Sequence, residues 1–239
     1  MHFSEPLIPG TLLQRYKRFL ADIRLDSGEM ITATCANTGS MLGLKQPGQR
    51  VWLSASDKPE RKYRHTWEMV EHDLGKGPTL VGINTSHPNR IVTEAIEAGR
   101  IKPLAGYPDL KREQKYGQNS RIDILLSDGQ GRKCYVEIKN VHLSRAAGLA
   151  EFPDSITERG TKHLSELAAM VREGHRAVMI YLIQRQDVTR FTLARDIDPN
   201  YAAAFVAARG AGVEMLALRC RLSPQAITID KPVAIKDLP

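Results

Sequence analysis

The chain has 239 residues, a net charge of +7 and an isoelectric point near 9.4, with 42% apolar, 26% charged and 6% aromatic residues. That length buries a substantial core and suggests two small domains. The basic balance favours polyanionic partners, while three widely spaced cysteines, Cys35, Cys134 and Cys220, exclude a disulfide framework and a cysteine zinc site. The first third reads as short strands between turns. Leu12 to Leu25 is one long strand-like run closed by Asp26-Ser27-Gly28. Met30 to Cys35, Val51 to Leu53, Lys62 to Glu71 and Thr79 to Asn84 follow. Five runs at this spacing predict a small barrel or sandwich over residues 1–82, with a barrel of the OB type preferred.

From Ser86 the period changes. Ile91, Val92, Ala95 and Ile96 have helical spacing, opened by Ser86 or Asn89 and stopped near Gly99. Two strands, around Asp123 and Glu137, come next. Ser155 and Glu158 have capping-box spacing before a helix with the stripe Leu164, Leu167, Ala168, Val171. Ala177 to Ile183 is continuously apolar, as in a central buried strand. Asp198-Pro199 opens another helix, and Val213 to Leu218 is a final strand. The order predicts an α/β domain with a mixed central sheet over residues 83–239.

The chemistry concentrates in those two strands. Ile122, Ile124 and Leu126 share one face and Asp123 lies on the other; Glu137 and Lys139 share a face opposite Val136 and Ile138. Asp128-Gly129-Gln130-Gly131 favours a hairpin between them. Pairing would gather two carboxylates and an ammonium. That set suits a magnesium-dependent phosphodiesterase, because Mg²⁺ keeps most of its waters and needs one or two carboxylates. An ordinary charged pair on a solvated strand face is the alternative. The apolar flanks favour a metal or phosphate site, since a polar cluster between buried strands needs a reason.

Several blocks together resemble a known family. They are Arg121-Ile122-Asp123, the run YVEIKNV from Tyr135 to Val141, and the run FPDSITERGTKHL from Phe152 to Leu164. Shorter matches are Arg15-Tyr16-Lys17-Arg18-Phe19, Asn37-Thr38-Gly39, His65-Thr66-Trp67-Glu68 and Lys115-Tyr116-Gly117. Over nearly its whole length the chain resembles bacterial sugar fermentation stimulation protein A. The resemblance implies an N-terminal OB-type domain and a C-terminal restriction-endonuclease-like α/β domain of the PD-(D/E)xK class. It implies DNA binding with little sequence preference and a regulatory role in sugar (maltose) metabolism. The nuclease pattern falls on Asp123, Glu137 and Lys139 as catalytic residues, with Ile122 where the motif has proline. Asp123 and Glu137 would hold Mg²⁺ or Mn²⁺. Nuclease relatives often add an upstream helical glutamate, and Glu113 is the best candidate for that further ligand.

Arg15, Lys17 and Arg18, and Arg61, Lys62 and Arg64, interleave with aromatics and are candidate phosphate contacts. On one continuous strand Arg15, Lys17 and Phe19 would share a face. Trp67 is expected in the core. Arg121 is a further phosphate candidate. Arg159 and Lys162, three apart on a helix, would face one phosphate if they are not simply a solvated helix edge. Residues 1–82 carry 11 basic and 9 acidic side chains and residues 83–239 carry 23 and 18, without a basic tail, so any DNA surface must be a folded patch. No apolar run reaches membrane-spanning length, and the opening MHFSEPLIPG has no leader pattern, so a cytoplasmic protein without membrane contact is expected. Three functions remain: a DNA-binding protein, a Mg/Mn-dependent DNA endonuclease, and a transcriptional coregulator acting through a protein partner. Nuclease-like domains acting on a duplex often work as dimers, so a homodimer is a further expectation.

Overall fold

In this computed structural model, residues 1–117 and 120–236 are described. Alternating apolar residues build β1 (Ile8–Tyr16), β2 (Leu20–Leu25), β3 (Met30–Cys35), β4 (Arg50–Ala55), β5 (His65–His72) and β6 (Thr79–Gly82). The order is β3-β2-β1-β4-β5-β6, and β3 also pairs with β5, so the first five strands close into the expected barrel. Inward positions such as Leu12, Ile23, Ala33, Val51, Leu53 and Trp67 fill it. Trp67 is fully buried, as expected, and its indole N–H donates to the Met69 carbonyl at 2.9 Å.

The expected single run Leu12–Leu25 is instead a hairpin. Lys17 (φ 48°) and Arg18 (φ 64°) turn the chain in the left-handed region between β1 and β2. Hairpin turns of this kind normally advertise themselves by Gly or Asn. None is present, so alternation ran through the turn unbroken, and Arg15, Lys17 and Phe19 do not share a strand face.

The rest of the chain holds α1 (Pro88–Glu97), β7 (Asp109–Tyr116), β8 (Ser120–Ser127), β9 (Lys133–Val141), β10 (Leu143–Ala146), β11 (Gly148–Phe152), α2 (Glu158–Arg172), β12 (Arg176–Ile183), β13 (Val188–Leu193), α3 (Pro199–Gly210), β14 (Glu214–Ser223), β15 (Ala226–Pro232) and β16 (Ala234–Ile235). The main sheet runs β15-β14-β12-β9-β8-β7 and is mixed: β9, β12 and β14 are parallel and the outer pairings antiparallel. The apolar run of β12 is central, as expected. Met179, Tyr181 and Ile183 face the core that contains α2 and α3, and Val178, Ile180 and Leu182 face the core that contains α1. A second sheet, β10-β11-β13-β16, adds to the first of these cores.

Helix starts agree in part. Asp198 caps α3, accepting from the Tyr201 N–H at 2.9 Å. The cap of α2 is Thr157, which accepts from the Gly160 N–H at 3.1 Å, rather than Ser155, because Asp198 Oδ2 also holds the Thr157 N–H at 2.8 Å. No side chain caps α1, since Ser86 bonds to Asn84 and Asn89 bonds into the main sheet. The barrel is locked onto this sheet. The Gly82 N–H donates to the Gln184 carbonyl at 2.8 Å, and a Cβ on Gly82 would fall 2.6 Å from Gln184 Oε1. All three cysteines are free and buried. Among the described residues no helix is long and apolar enough to cross a membrane.

Candidate metal and phosphate cleft

β8 and β9 form the expected hairpin, with Ile124 opposite Val136 as the last paired position before the site. There the ladder gives way. The Ile138 N–H donates to Asp123 Oδ2 at 2.8 Å, so the Asp123 side chain takes the place of a backbone acceptor. The strands bring Asp123, Glu137 and Lys139 to one open cleft of about 420 Å³, which Thr85, Ser86, Asn89, Arg112, Glu113, Asn140, Arg159 and His163 also line. The uncapped N-terminus of α1, at Pro88, borders the same space. Free N–H groups and a partial positive charge there suit an anion.

Glu137 is buried and heavily used on one oxygen. Oε1 accepts from Lys139 Nζ at 2.8 Å and forms a very short bond with His163 Nδ1. Arg159 Nε donates to His163 Nε2 at 3.3 Å, which makes Nε2 the acceptor and Nδ1 the donor to Glu137. The other oxygen, Oε2, is buried and has no partner among the described residues. A buried carboxylate oxygen left bare is costly unless something cationic or hydrogen-bonding meets it.

The two carboxyl groups have opposite tendencies. Burial, and then the charge of Glu137, push Asp123 up to about 6, against the Ile138 N–H, Asn89 and Lys139. Burial also pushes Glu137 up, but the His163 bond and the Lys139 charge outweigh it and leave the group below its ordinary value. A cation between them would remove the repulsion and meet Oε2. Among the described residues no three His, Cys, Asp or Glu side chains are already grouped as a metal site. A hard cation that keeps its waters needs only one or two carboxylates, so the donors present fit Mg²⁺ or Mn²⁺.

Glu113 lies on β7, not on a helix. Pairing with β8 passes from Arg112–Ile124 to Gln114–Ile122 without a register shift, which leaves Glu113 opposite Asp123, where its φ of 53° interrupts the extended backbone. The left-handed backbone at Glu113 lets the successive residues Arg112 and Glu113 both line the cleft, which a regular strand forbids. Asn89 Nδ2 joins Glu113 Oε1 (3.1 Å) to Asp123 Oδ1 (2.9 Å). The sequence marks Asn89 only as a helix opener and does not mark Arg112; neither carries a local signal of its role. His163 follows Arg159 by four positions on the same helix, and that spacing is the available hint.

The phosphate candidates scatter. Arg159 lines the cleft, whereas Lys162 pairs with Glu166 at 3.6 Å, so the two do not converge as helical spacing suggested. Arg121 lines a separate hollow with Lys115 and Ser120. Arg15 donates to the carbonyls of Arg18, Asn37 and Gly39, and Arg18 to that of Thr38. Lys17 is exposed at the hairpin tip. Arg61 reaches the hydroxyls of Thr34 and Thr66, Lys62 lies over the Tyr63 ring, and Arg64 is exposed.

Two family models match in succession: the SfsA N-terminal OB domain over residues 13–83, and the sugar fermentation stimulation protein RE domain over residues 86–226. Sugar fermentation stimulation protein homologues from Brucella anthropi and Sinorhizobium medicae are 57% and 56% identical to the chain, each over 99% of it and over 100% and 98% of their own lengths. The solved structure of Pyrococcus furiosus SfsA in complex with Ca²⁺ is 28% identical, covers 99% of this chain and 98% of its own, and superposes with a TM-score of 0.86. The chain belongs to the sugar fermentation stimulation protein family.

Proposed function

We propose that the protein binds DNA through its phosphates and hydrolyses a phosphodiester in the cleft with the help of Mg²⁺ or Mn²⁺. The observation that carries this reading is the bare, buried Oε2 of Glu137 beside an Asp123 held up to about 6. Two carboxylates repel a polyanion unless a cation stands between them, so a DNA platform alone has no use for the pair. Asp123 and Glu137 would hold the cation, and Glu113, joined to Asp123 through Asn89, would complete the set through a water. When bound, the cation supplies positive charge at the phosphate and makes its water more acidic. The Ca²⁺ in the Pyrococcus furiosus relative supports divalent chemistry in the family.

The protein's own groups do the remaining work. Lys139, fixed by Glu137, donates to the attacking water or to a phosphate oxygen. Arg159 and Arg112 neutralise the non-bridging oxygens. The water oxygen bonds to phosphorus and gives up a proton to solvent, one P–O ester bond breaks, and the leaving oxygen takes a proton from solvent. Lys17, Lys62, Arg64 and Arg121 extend phosphate contact away from the cleft, which predicts steep salt dependence and little sequence preference. Cutting both strands of a duplex needs two clefts, so a homodimer belongs to this reading.

The test is cleavage of labelled duplex, nicked, forked and single-stranded DNA with Mg²⁺ or Mn²⁺, beside Asp123→Ala and Lys139→Ala. Metal-dependent cutting lost in both variants is expected. A second reading, DNA binding without cutting, is favoured by the ion pair of Lys139 with Glu137, which is also the form of a structural bridge. Under it the protein acts on sugar (maltose) metabolism by occupying DNA or through a protein partner. Wild-type protein that shifts duplex DNA but cuts none of the four substrates would select it.

A further inference from the structure

The β1–β2 hairpin carries side chains that its own fold does not require. Lys17 and Arg18 hold left-handed backbone angles, 48° and 64°, that Gly or Asn would adopt at lower cost. Next to them Phe19 is 49% exposed, and it is the one aromatic among the large apolar side chains that the described residues leave exposed. Arg15 and Arg18 donate to backbone carbonyls, which accept hydrogen bonds without neutralising charge. Among the described residues none of Arg15, Lys17 and Arg18 is in an ion pair with a carboxylate given by the structure. The turn therefore presents an exposed ring in sequence with two exposed cations, Lys17 and Arg18.

Its position ties it to the cleft. Arg18 grips the Thr38 carbonyl, and Arg15 grips those of Asn37 and Gly39. One residue earlier, the Ala36 carbonyl accepts from the Thr85 N–H at 3.0 Å and the Thr85 hydroxyl at 2.6 Å. Thr85 lines the cleft. A short hydrogen-bonded path thus runs from the hairpin tip to the rim where the phosphodiester would lie.

We propose that Phe19, flanked by Lys17 and Arg18, stacks on or wedges beside an unpaired base, so that the protein prefers DNA at a junction between double and single strands. The inference rests on the DNA-binding reading and names its substrate class. Cations hold the phosphates on either side of the base, and the aromatic face takes the base itself, which is sequence-tolerant because every base has such a face. A wedge also lowers the cost of opening the last pair of a duplex. A continuous duplex offers Phe19 no exposed base and meets only the cations.

The test compares full-length wild type with Phe19→Ala, Phe19→Trp and Phe19→Leu in EDTA and in Ca²⁺. Equilibrium binding is measured to a blunt duplex and to a fork of the same duplex length. Wild type is expected to favour the fork by about tenfold, as loss or gain of one base–aromatic stack would give. Phe19→Ala should abolish that preference and leave blunt-duplex affinity unchanged. Phe19→Trp should keep it, and Phe19→Leu should fall between. A 2-aminopurine at the junction pair should brighten with wild type and not with Phe19→Ala. Equal wild-type affinity for fork and duplex, or a fork preference that survives in Phe19→Ala, would overturn this inference while leaving DNA binding intact. No binding to either DNA would overturn the DNA-binding reading, and this inference with it.

Discussion

Ser40 Oγ donates to the Asp154 carbonyl at 2.8 Å, joining the barrel to the sheet domain across 114 positions of sequence. The Asp154 carboxylate adds to the joint, accepting from the Ser40 hydroxyl at 3.2 Å and the Met41 N–H at 3.3 Å, with His142 Nε2 at 3.3 Å. Gly39 fits closely here, since a Cβ on it would stand 3.1 Å from Asp154 Oδ2. The Asn37-Thr38-Gly39 and Phe152-Pro153-Asp154 matches thus find a common place at the domain junction.

Burial pushes Asp154 up, yet His142, the Met41 N–H and Ser40 outweigh it and leave the carboxyl at about 2, against an ordinary 3.8. The folded value is depressed, so the stabilisation is present above about pH 4 and is lost as pH falls toward 2. It is worth about 2 kcal/mol. Asp154→Asn should unfold more easily in urea at pH 7, and its deficit should shrink between pH 4 and pH 2. A deficit independent of pH would contradict the assignment.

Asp123 has the opposite sign. Its folded value, about 6, lies above the ordinary 3.8, so the folded state binds the proton more tightly. Stability from that proton is full below about pH 4 and is lost as pH rises through 6, a change of about 3 kcal/mol. In EDTA, wild type should therefore lose stability relative to Asp123→Asn over that interval, and Mn²⁺ at pH 7 should restore it to wild type alone. Parallel pH profiles for the two proteins would count against a strained, metal-ready carboxylate.

His163 and Asn89 act through the carboxylates they hold. His163→Ala removes a donor from Glu137, and Asn89→Ala releases both Asp123 and Glu113. Each should weaken divalent-cation affinity by about 10- to 100-fold, the usual effect of removing a group that orients a ligand. Calorimetric titration with Mn²⁺ checks this, and unchanged affinity in both would remove the roles given to them.

Gly82 is a packing requirement rather than a turn. Gly82→Ala sets a methyl 2.6 Å from Gln184 Oε1 and 3.2 Å from Gln184 Cβ, so the barrel and sheet must shift apart or Gln184 must leave Asn140. Destabilisation of about 1–3 kcal/mol is expected in urea unfolding. A neutral effect would mean that the junction is loose.

Legibility followed the physics of each segment. β12 was readable because both faces are buried, which leaves a continuous apolar run. The α3 start was readable because Asp198-Pro199 does its work locally. Asp123, Glu137 and Lys139 were readable because a two-residue alternation fixes which side chains share a face. The hairpin at Lys17-Arg18 was hidden because its turn uses residues that normally avoid positive φ. Glu113 was placed on a helix because nothing in Lys111-Arg112-Glu113-Gln114 marks a strand with a left-handed residue in it. Asn89 was hidden because its partners, Asp123 and Glu113, lie 34 and 24 positions away.

The most direct test of the account is calorimetric titration of full-length protein with Mn²⁺ at pH 7, beside Asp123→Ala and Glu137→Ala. The account predicts saturable binding in wild type that is lost in both variants. Absence of binding in wild type, or binding that persists unchanged in both variants, would contradict the claim that these two carboxylates form a divalent-cation site.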